Sequence, residues 1–350
     1  MRIAQLAPLF EAVPPKTYGG TERVVSYLTE ALVAAGHDVT LFASGDSVTN
    51  AVLEPACRRG TRLDPTVRDA LASHHLMIEN VCRRANEFDI IHCHLDYWPF
   101  SVLSRQETAF VTTLHGRLDL PELQPVFERF STVPVVSISD AQRRPLPQAN
   151  FVRTVPHGLP EDLLRPTGVQ PDYLAFLGRI CPEKRPDLAI KIARAAGVKL
   201  KIAAKVDRVD EDYFQTVIKP LLDGEQVEFI GEITEDQKSA FLSGAHALLL
   251  PIDWPEPFGL VMIEAMACGT PVIAFNRGSV PEVLEDGLTG FIVEDASGAI
   301  AAIDKLADLS RATVRATFEA RFTAQRMAAD YLSVYRSLAR EQWNGLRVVG

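Results

Sequence analysis

Short apolar runs rich in β-forming residues alternate with amphipathic helical patterns along most of the chain. In the first half, residues 3–7, 39–43, 90–93, 110–114, 135–138 and 152–155 read as strands. Helical spacing is clearest at 22–35, where Val24, Leu28, Ala31, Leu32 and Ala35 share one face. Thr21 is placed to cap the first turn, Glu22 suits the positive end of the helix dipole, and Gly36 supplies the stop. The stretch 62–88 has a less definite pattern and is read as holding a helix before the strand at Ile90.

The second half repeats the scheme. Strands are expected at 173–177, 199–204, 227–230, 247–251, 271–275 and 290–293, and helices at 185–196, 212–222, 235–243, 258–268 and 280–285. Such alternation gives parallel sheets covered by helices on both faces, here twice over, so the fold class is α/β with doubly wound sheets. Residues 160–172, with Pro160, Pro166 and Pro171 and little periodicity, are read as the interdomain linker. Residues from about 310 to 342 are helical without strands. Open parallel sheets take ligands outside the carboxyl ends of their strands, so the loops that follow strands are where chemistry is expected.

Composition narrows the classes. A length of 350 residues suits two domains, and 47% hydrophobic with 23% charged residues is ordinary globular usage. The net charge of −9 disfavours non-specific nucleic-acid binding, and no nucleic-acid partner is expected. The longest apolar runs, near 245–252 and 258–263, fall far short of a membrane span, which leaves only peripheral membrane contact open. Residues 1–10 read as a first strand rather than a secretory leader, since Glu11 and Pro14–Pro15 follow and no small-x-small site stands out. Cys57, Cys82, Cys93, Cys181 and Cys268 are scattered and odd in number, as in a cytoplasmic protein with reduced thiols.

The strongest chemical signal is Asp-Trp-Pro-Glu-Pro-Phe-Gly-Leu-Val-Met-Ile-Glu at 253–264, continuing to Gly-Thr-Pro at 269–271. Pro255 and Pro257 flank Glu256 and hold its carboxylate in a stiff loop just before a helix. Phe258, Gly259 and Leu260 open that helix, and amides at a helix start suit phosphate or sugar oxygens. The helix is apolar nearly all round except for Glu264, whose carboxylate needs partners. Two adjacent ribose hydroxyls would supply them. So would a backbone amide or an arginine, with Glu256 then a plain loop acid.

Other loops are suggestive. Within 177–187, Arg179 follows a strand and Lys184 precedes a helix, so two cations stand where a diphosphate could be held. A solvated loop with Glu183 paired to a neighbour is the bland alternative. Tyr18-Gly-Gly-Thr-Glu22 joins the first strand to the first helix, where Gly19 and Gly20 either let backbone approach a ligand or form a flexible turn. Ile-His-Cys-His-Leu-Asp at 91–96 and Thr-Leu-His-Gly at 113–116 end adjacent strands. His92 and His94 share a strand face and invite a metal reading with His115. No further ligand pattern appears, so no metal is expected and His92 reads as a satisfied core histidine. Asp210 and Asp212 mimic a metal-binding Asp-x-Asp, but at a helix start acidic residues serve the dipole. Neither Gly-x-Gly-x-x-Gly nor Gly-x4-Gly-Lys-Ser/Thr is present, against an NAD enzyme and a P-loop kinase.

Glu256 and Glu264, with seven residues between them that include Pro-Phe-Gly-Leu and with Gly-Thr-Pro after, resemble the signature of family 4 of the retaining nucleotide-sugar glycosyltransferases. The resemblance is specific over 177–294 and looser over 2–158. It implies a GT-B fold: two Rossmann-like doubly wound parallel-sheet domains facing across a cleft, with C-terminal helices. The boundaries are then 1–162 for an acceptor-side domain, completed by a helix at 323–342, and 170–310 for a donor-binding domain. In this likeness Arg179 and Lys184 bind the donor diphosphate, although four residues separate them where the family has five. Glu256 bonds a sugar hydroxyl, Glu264 holds the ribose, and the amides of Phe258, Gly259 and Leu260 take oxygens of the donor. Gly19 and Gly20 lie near its phosphate, and His115 contacts the transferred sugar. Ile233 is a candidate contact for the base, and Lys205 stands where a Gly-rich strand end is usual. Lys16, Glu22, His94 and Asp96 are assigned to the acceptor side. The strand ends at 137–140 and 155–158 also resemble the family's, with His157-Gly158 in place of Asn-Gly.

The implied activity is metal-independent, cofactor-free, retaining transfer of a hexose-type sugar from a nucleoside-diphosphate sugar, uridine favoured. The acceptor is a hydroxyl of a sugar, lipid or small molecule. A phosphate oxygen takes the proton, so no side-chain base is named. The rivals are an epimerase or phosphorylase on the same scaffold and a catalytically idle sugar-nucleotide-binding protein.

Overall fold

The computed structural model describes residues 1–16 and 19–348; Tyr18, which opens the Gly-Gly motif, lies outside them. The chain divides into two compact units, residues 1–158 with the C-terminal helix from Ala324, and residues 159–323.

The first unit holds seven parallel strands: β1 Arg2–Leu6, β2 Asp38–Ser44, β3 Val52–Cys57, β4 Ile90–Cys93, β5 Phe110–Thr113, β6 Pro134–Ser137 and β7 Asn150–Thr154. Their order is β3-β2-β1-β4-β5-β6-β7, so the winding reverses between β1 and β4. Every residue of β4 and β5 is buried, as covering helices on both faces require. Pro55 and a half-exposed pattern hide β3 from sequence reading, and both fit its place at the sheet edge. The helix Gly20–Ala34 starts earlier than its pattern suggests. Gly19 is its N-cap, without a side-chain cap bond, so Thr21 lies inside the helix and does not cap it. It buries Val24, Val25, Leu28, Thr29 and Leu32, while Ala35 is exposed. The stripe is broad because the helix Ala324–Val348 packs on it as well as the sheet. Within 62–88 the helix is Ala70–Arg83, capped by Asp69 accepting from the Leu71 amide at 2.9 Å.

The second unit holds β8 Tyr173–Ile180, β9 Leu200–Val206, β10 Val227–Gly231, β11 Ala245–Leu250, β12 Val272–Phe275 and β13 Gly290–Val293. All are parallel, in the order β10-β9-β8-β11-β12-β13, and the reversal falls between β8 and β11. Phe176, Ile190, Ile202, Leu249 and Ile273 are fully buried in its core, each worth roughly 1.5–3 kcal/mol of transfer free energy. The helix expected at 212–222 is broken: a turn at Glu211–Tyr213 widens through Phe214–Ile218 and tightens at Lys219–Leu221. Pro220, which has no amide to donate, sits in that last turn. The helical stretch 310–342 is two helices, Arg311–Arg321 and Ala324–Val348, parted where Thr323 bridges to Leu159.

Residues 160–172 are fastened to the second unit. The Arg315 guanidinium donates to the carbonyls of Glu161 and Leu164 at 2.7 Å, and the amides of Arg165 and Thr167 donate to Ser239 and Ser243. All five cysteines are free thiols. Among the described residues no helix is long and apolar enough to cross a membrane.

Candidate functional site

The loops after β8 and β11 flank the reversal of the second sheet, the place where an open parallel sheet takes its ligand. Arg179 lies in β8 rather than after it, because pairing with β9 continues through Arg179 and Lys205 to Ile180 and Val206. A turn at Pro182–Lys184 and a left-handed Arg185 (φ 54°) then lead into the helix Pro186–Ala195. The Lys184 ammonium pairs with the Glu256 carboxylate and lies 4.9 Å from the Trp254 ring centroid. The Trp254 indole N–H donates to the same Glu256 oxygen at 3.1 Å. The Asp253 amide donates to the Glu183 carbonyl at 2.9 Å, so the two loops are joined through backbone as well as side chains.

Glu256 is buried, and its loop is held from the other side too. The Ser279 amide donates to the Glu256 carbonyl and the Ser279 hydroxyl to the Phe258 carbonyl, each at 2.9 Å. Phe258 precedes the helix, which runs Leu260–Ala267 with Gly259 as a left-handed N-cap (φ 78°) and no side-chain cap. Only a glycine takes that conformation without strain. Four residues into the helix, Glu264 is buried against Lys238, with Nζ 2.7 Å from Oε1. Lys238 stands on the helix Glu235–Ser243 and also faces Glu235 at 3.4 Å. Neither an amide nor an arginine is this partner, and a lone lysine on a polar helix gave no signal of it.

The cations at the strand ends are matched by acids. Arg179 faces Glu183 at 2.9 Å, Asp210 at 3.5 Å and Asp207 at 3.7 Å, and Lys205 pairs with Asp207 at 3.0 Å. Burial raises the Asp210 carboxyl above its ordinary range, against the pull of Arg179. Ile233 is half-buried in the loop between β10 and the helix Glu235–Ser243.

In the first unit the loops after β1 and β4 flank the reversal. Lys16 is exposed, whereas Gly19 is pressed in: a Cβ there would stand 2.8 Å from Pro15 Cβ and 3.2 Å from Glu22 Oε2. Gly20 opens the helix. Glu22 is buried, and burial raises its carboxyl above the ordinary range, opposed by Arg62. Arg62 also pairs with the buried Glu11 at 3.1 Å. Asp96 is exposed in a left-handed conformation (φ 49°).

The histidines form one network. His94 Nδ1 meets His115 Nε2 at 2.8 Å, and His94 Nε2 meets Gln5 Oε1 at 2.8 Å. His92 is fully buried, with Tyr335 OH on Nδ1 and Thr113 Oγ1 on Nε2, both at 2.7 Å. Thr113 in turn meets Tyr331 OH at 2.8 Å, and the His157 ring stacks on His115 with centroids 5.2 Å apart. Burial keeps all four rings neutral, taking His115 down to about 3. Both nitrogens of His94 are thus spent inside the protein. Gln5, Tyr331 and Tyr335 were not singled out from the sequence. Gln5 was findable, as a lone amide in an apolar strand must be satisfied.

Residues 18–172 match the family described as Glycosyltransferase Family 4, and residues 165–320 match Glycosyl transferases group 1. Phosphatidyl-myo-inositol mannosyltransferase of Mycobacterium leprae is 26% identical over 97% of this chain and 97% of its own. Other curated relatives, 30% identical, match 47% of this chain and only 37–46% of their own length. The crystal structure of AviGT4, a glycosyltransferase involved in avilamycin A biosynthesis, superposes with TM-score 0.73 at 24% identity, covering 97% of this chain and 98% of that one. The Anabaena protein HepE in complex with UDP and glucose gives TM-score 0.73 at 18% identity, covering 97% and 100%. At these identities the likeness is one of fold, and it is the GT-B fold expected from the sequence.

Proposed function

Because the chain belongs to family 4 of the GT-B glycosyltransferases, we propose that it moves a hexose from a nucleoside-diphosphate sugar to an acceptor hydroxyl with retention of anomeric configuration. One observation carries the reading: Lys184 and Glu256 meet across the β8–β11 reversal, with Arg179 on the same strand-to-helix segment as Lys184. A lysine and a carboxylate that meet where a parallel sheet takes its ligand support giving the cations to a leaving diphosphate and the acid to the sugar.

In this reading the bond from the anomeric carbon to the β-phosphate oxygen breaks as negative charge grows on the diphosphate. Arg179, Lys184 and the amides around Leu260 stabilise that charge, and such preorganised electrostatics is usually the largest contribution to rate. Glu256 bonds a sugar hydroxyl and favours positive charge at the anomeric carbon. Glu264, oriented by Lys238, holds the ribose, and neutral His115 orients the sugar. The acceptor oxygen attacks on the face the diphosphate leaves, its proton passes to a phosphate oxygen, and neither metal nor cofactor takes part. UDP is the favoured carrier, in line with the UDP and glucose of the Anabaena structure. The acceptor is a hydroxyl of a sugar, lipid or small molecule. The free thiols suit action in the cytoplasm.

Thermal shift with UDP, GDP and ADP, followed by turnover of UDP-glucose with a panel of acceptors in EDTA, tests the reading. UDP should raise Tm most, since stabilisation grows with ligand excess over Kd. The product should carry the donor's anomeric configuration by NMR. No stabilisation by any nucleoside diphosphate, or an inverted product, would overturn it.

A further inference from the structure

We propose that Gln5 and His94 are positioning residues that fix the tautomer of His115, so that its remaining ring nitrogen, Nδ1, is presented as a hydrogen-bond acceptor. Gln5 is fully buried in the middle of β1, in register with His92 of β4. Its amide nitrogen faces Tyr335 OH at 3.1 Å and its oxygen faces His94 Nε2 at 2.8 Å. An amide oxygen can only accept, so His94 carries its proton on Nε2. A neutral imidazole has one donor and one acceptor, so His94 Nδ1 accepts the Nε2–H of His115 at 2.8 Å. The same rule leaves Nδ1 of His115 bare. That atom is buried and has no hydrogen-bond partner among the described residues.

The rest of the network agrees with this direction. Tyr335 donates its hydroxyl proton to His92 Nδ1 at 2.7 Å, which frees its oxygen to accept from the Gln5 amide. His92 then donates from Nε2 to Thr113, and Thr113 to Tyr331. The groups that pack on the pair from β4, β5, the segment after β7 and the C-terminal helix are His92, Thr113, His157, Tyr331 and Tyr335. None of these five carries a carboxylate; Asp96, which does, accepts from the backbone amide of His115 rather than from a ring nitrogen, and burial depresses both histidines, so each stays neutral.

The consequence is selectivity. A bare nitrogen accepts from a hydroxyl and gains nothing from a carbonyl or phosphate oxygen. Resting on the reading of His115 as a contact of the transferred sugar, and on ligand binding uncovering Nδ1, the relay makes that contact specific for a sugar O–H. It also moves His94 from the acceptor side to a supporting place behind His115.

The test reads the tautomers directly, without ligand. Long-range proton–nitrogen NMR on the histidine-labelled full chain should show His115 with an unprotonated Nδ1 and a protonated Nε2, and His94 with the same pattern. Gln5→Leu should mix the tautomers of both rings and lower kcat/KM for UDP-glucose roughly threefold to tenfold, the scale of one neutral hydrogen bond. Gln5→Glu keeps an acceptor facing His94 but loses the amide donor to Tyr335 and adds a charge, so it should keep the proton on His94 Nε2 and the His115 pattern without restoring full turnover. A proton on His115 Nδ1 in the wild type, or unchanged His115 signals in a folded Gln5→Leu protein, would overturn the proposal. Correct tautomers in a protein that turns over no nucleotide sugar would instead leave the relay standing and remove the sugar-transfer reading.

Discussion

Lys238 and Glu264 form a buried ion pair, Nζ to Oε1 at 2.7 Å, with the two side chains 11% and 4% exposed. Removing one member strands the other charge away from water. Lys238→Met is therefore expected to lower stability by about 3–5 kcal/mol, measured by urea denaturation. Lys238→Met combined with Glu264→Leu should recover most of that loss, because both desolvated charges disappear together. A single variant as stable as the wild type would mean that water reaches the pair.

What the sequence disclosed depended on whether a residue's neighbours lie close along the chain. Parallel strands are buried on both faces, so β1, β4, β8 and β11 stand out as apolar runs, and the residues after them could be read as candidate ligand contacts. An edge strand carrying Pro55 breaks that pattern and stays hidden. Glu256 was legible through its flanking prolines. Its partner Lys184 lies 72 positions away, and nothing local joins them. Tyr335 lies 330 positions from Gln5, on a helix whose packing only the folded chain reveals. Glu264 announced itself as a lone acid on an apolar helix, but the identity of its cation did not. Spacing shows that a buried charge needs a partner and is silent on which distant residue supplies it.

Gly278 guards the geometry of Glu256. It has φ 56°, and a Cβ there would overlap the backbone oxygen and nitrogen of Glu256 and stand 2.6 Å from the Pro255 carbonyl carbon. Backbone cannot rotate away as a side chain can. Gly278→Ala should cost about 1–3 kcal/mol in urea denaturation and displace the loop that carries Glu256. Weaker stabilisation by UDP in a thermal shift would accompany it. An alanine variant of unchanged stability would show that the 253–258 loop yields easily.

Acid should unfold the first unit through its histidines. Burial lowers His92, His94, His115 and His157 below the ordinary 6.5, His115 to about 3. Between those folded values and 6.5 the unfolded chain binds more protons than the folded one. Stability therefore rises with pH up to about 6.5 and falls as pH drops below it. Each histidine contributes up to about 1.4 kcal/mol per pH unit in that window. Denaturation curves at pH 7.5, 6 and 5 should show the loss steepening. Equal stability across that range would mean that the rings titrate as they do in water.

Glu256→Gln keeps the size of the side chain and removes its charge. On the proposed mechanism, transfer falls roughly a hundredfold to a thousandfold, the scale of losing one preorganised electrostatic contact in a closed site. Stabilisation by UDP should survive, because the nucleotide is held by other groups. Near-full turnover by the folded variant would remove Glu256 from the reaction.

Arg179 is already occupied by acids: Glu183 at 2.9 Å, Asp210 at 3.5 Å and Asp207 at 3.7 Å. A diphosphate that binds this guanidinium must displace or approach those carboxylates, and each opposes it. Asp207→Asn and Asp210→Asn should therefore tighten UDP binding. The guanidinium is about a third exposed, so each substitution is worth little, roughly 1.5-fold to fivefold in Kd by calorimetry. Salt decides whether the effect is electrostatic. The gain should shrink between low and high ionic strength, because added ions screen exposed charges. If instead both variants bind UDP more weakly, the acids serve to aim Arg179 at the diphosphate, and aiming outweighs repulsion at this strand end.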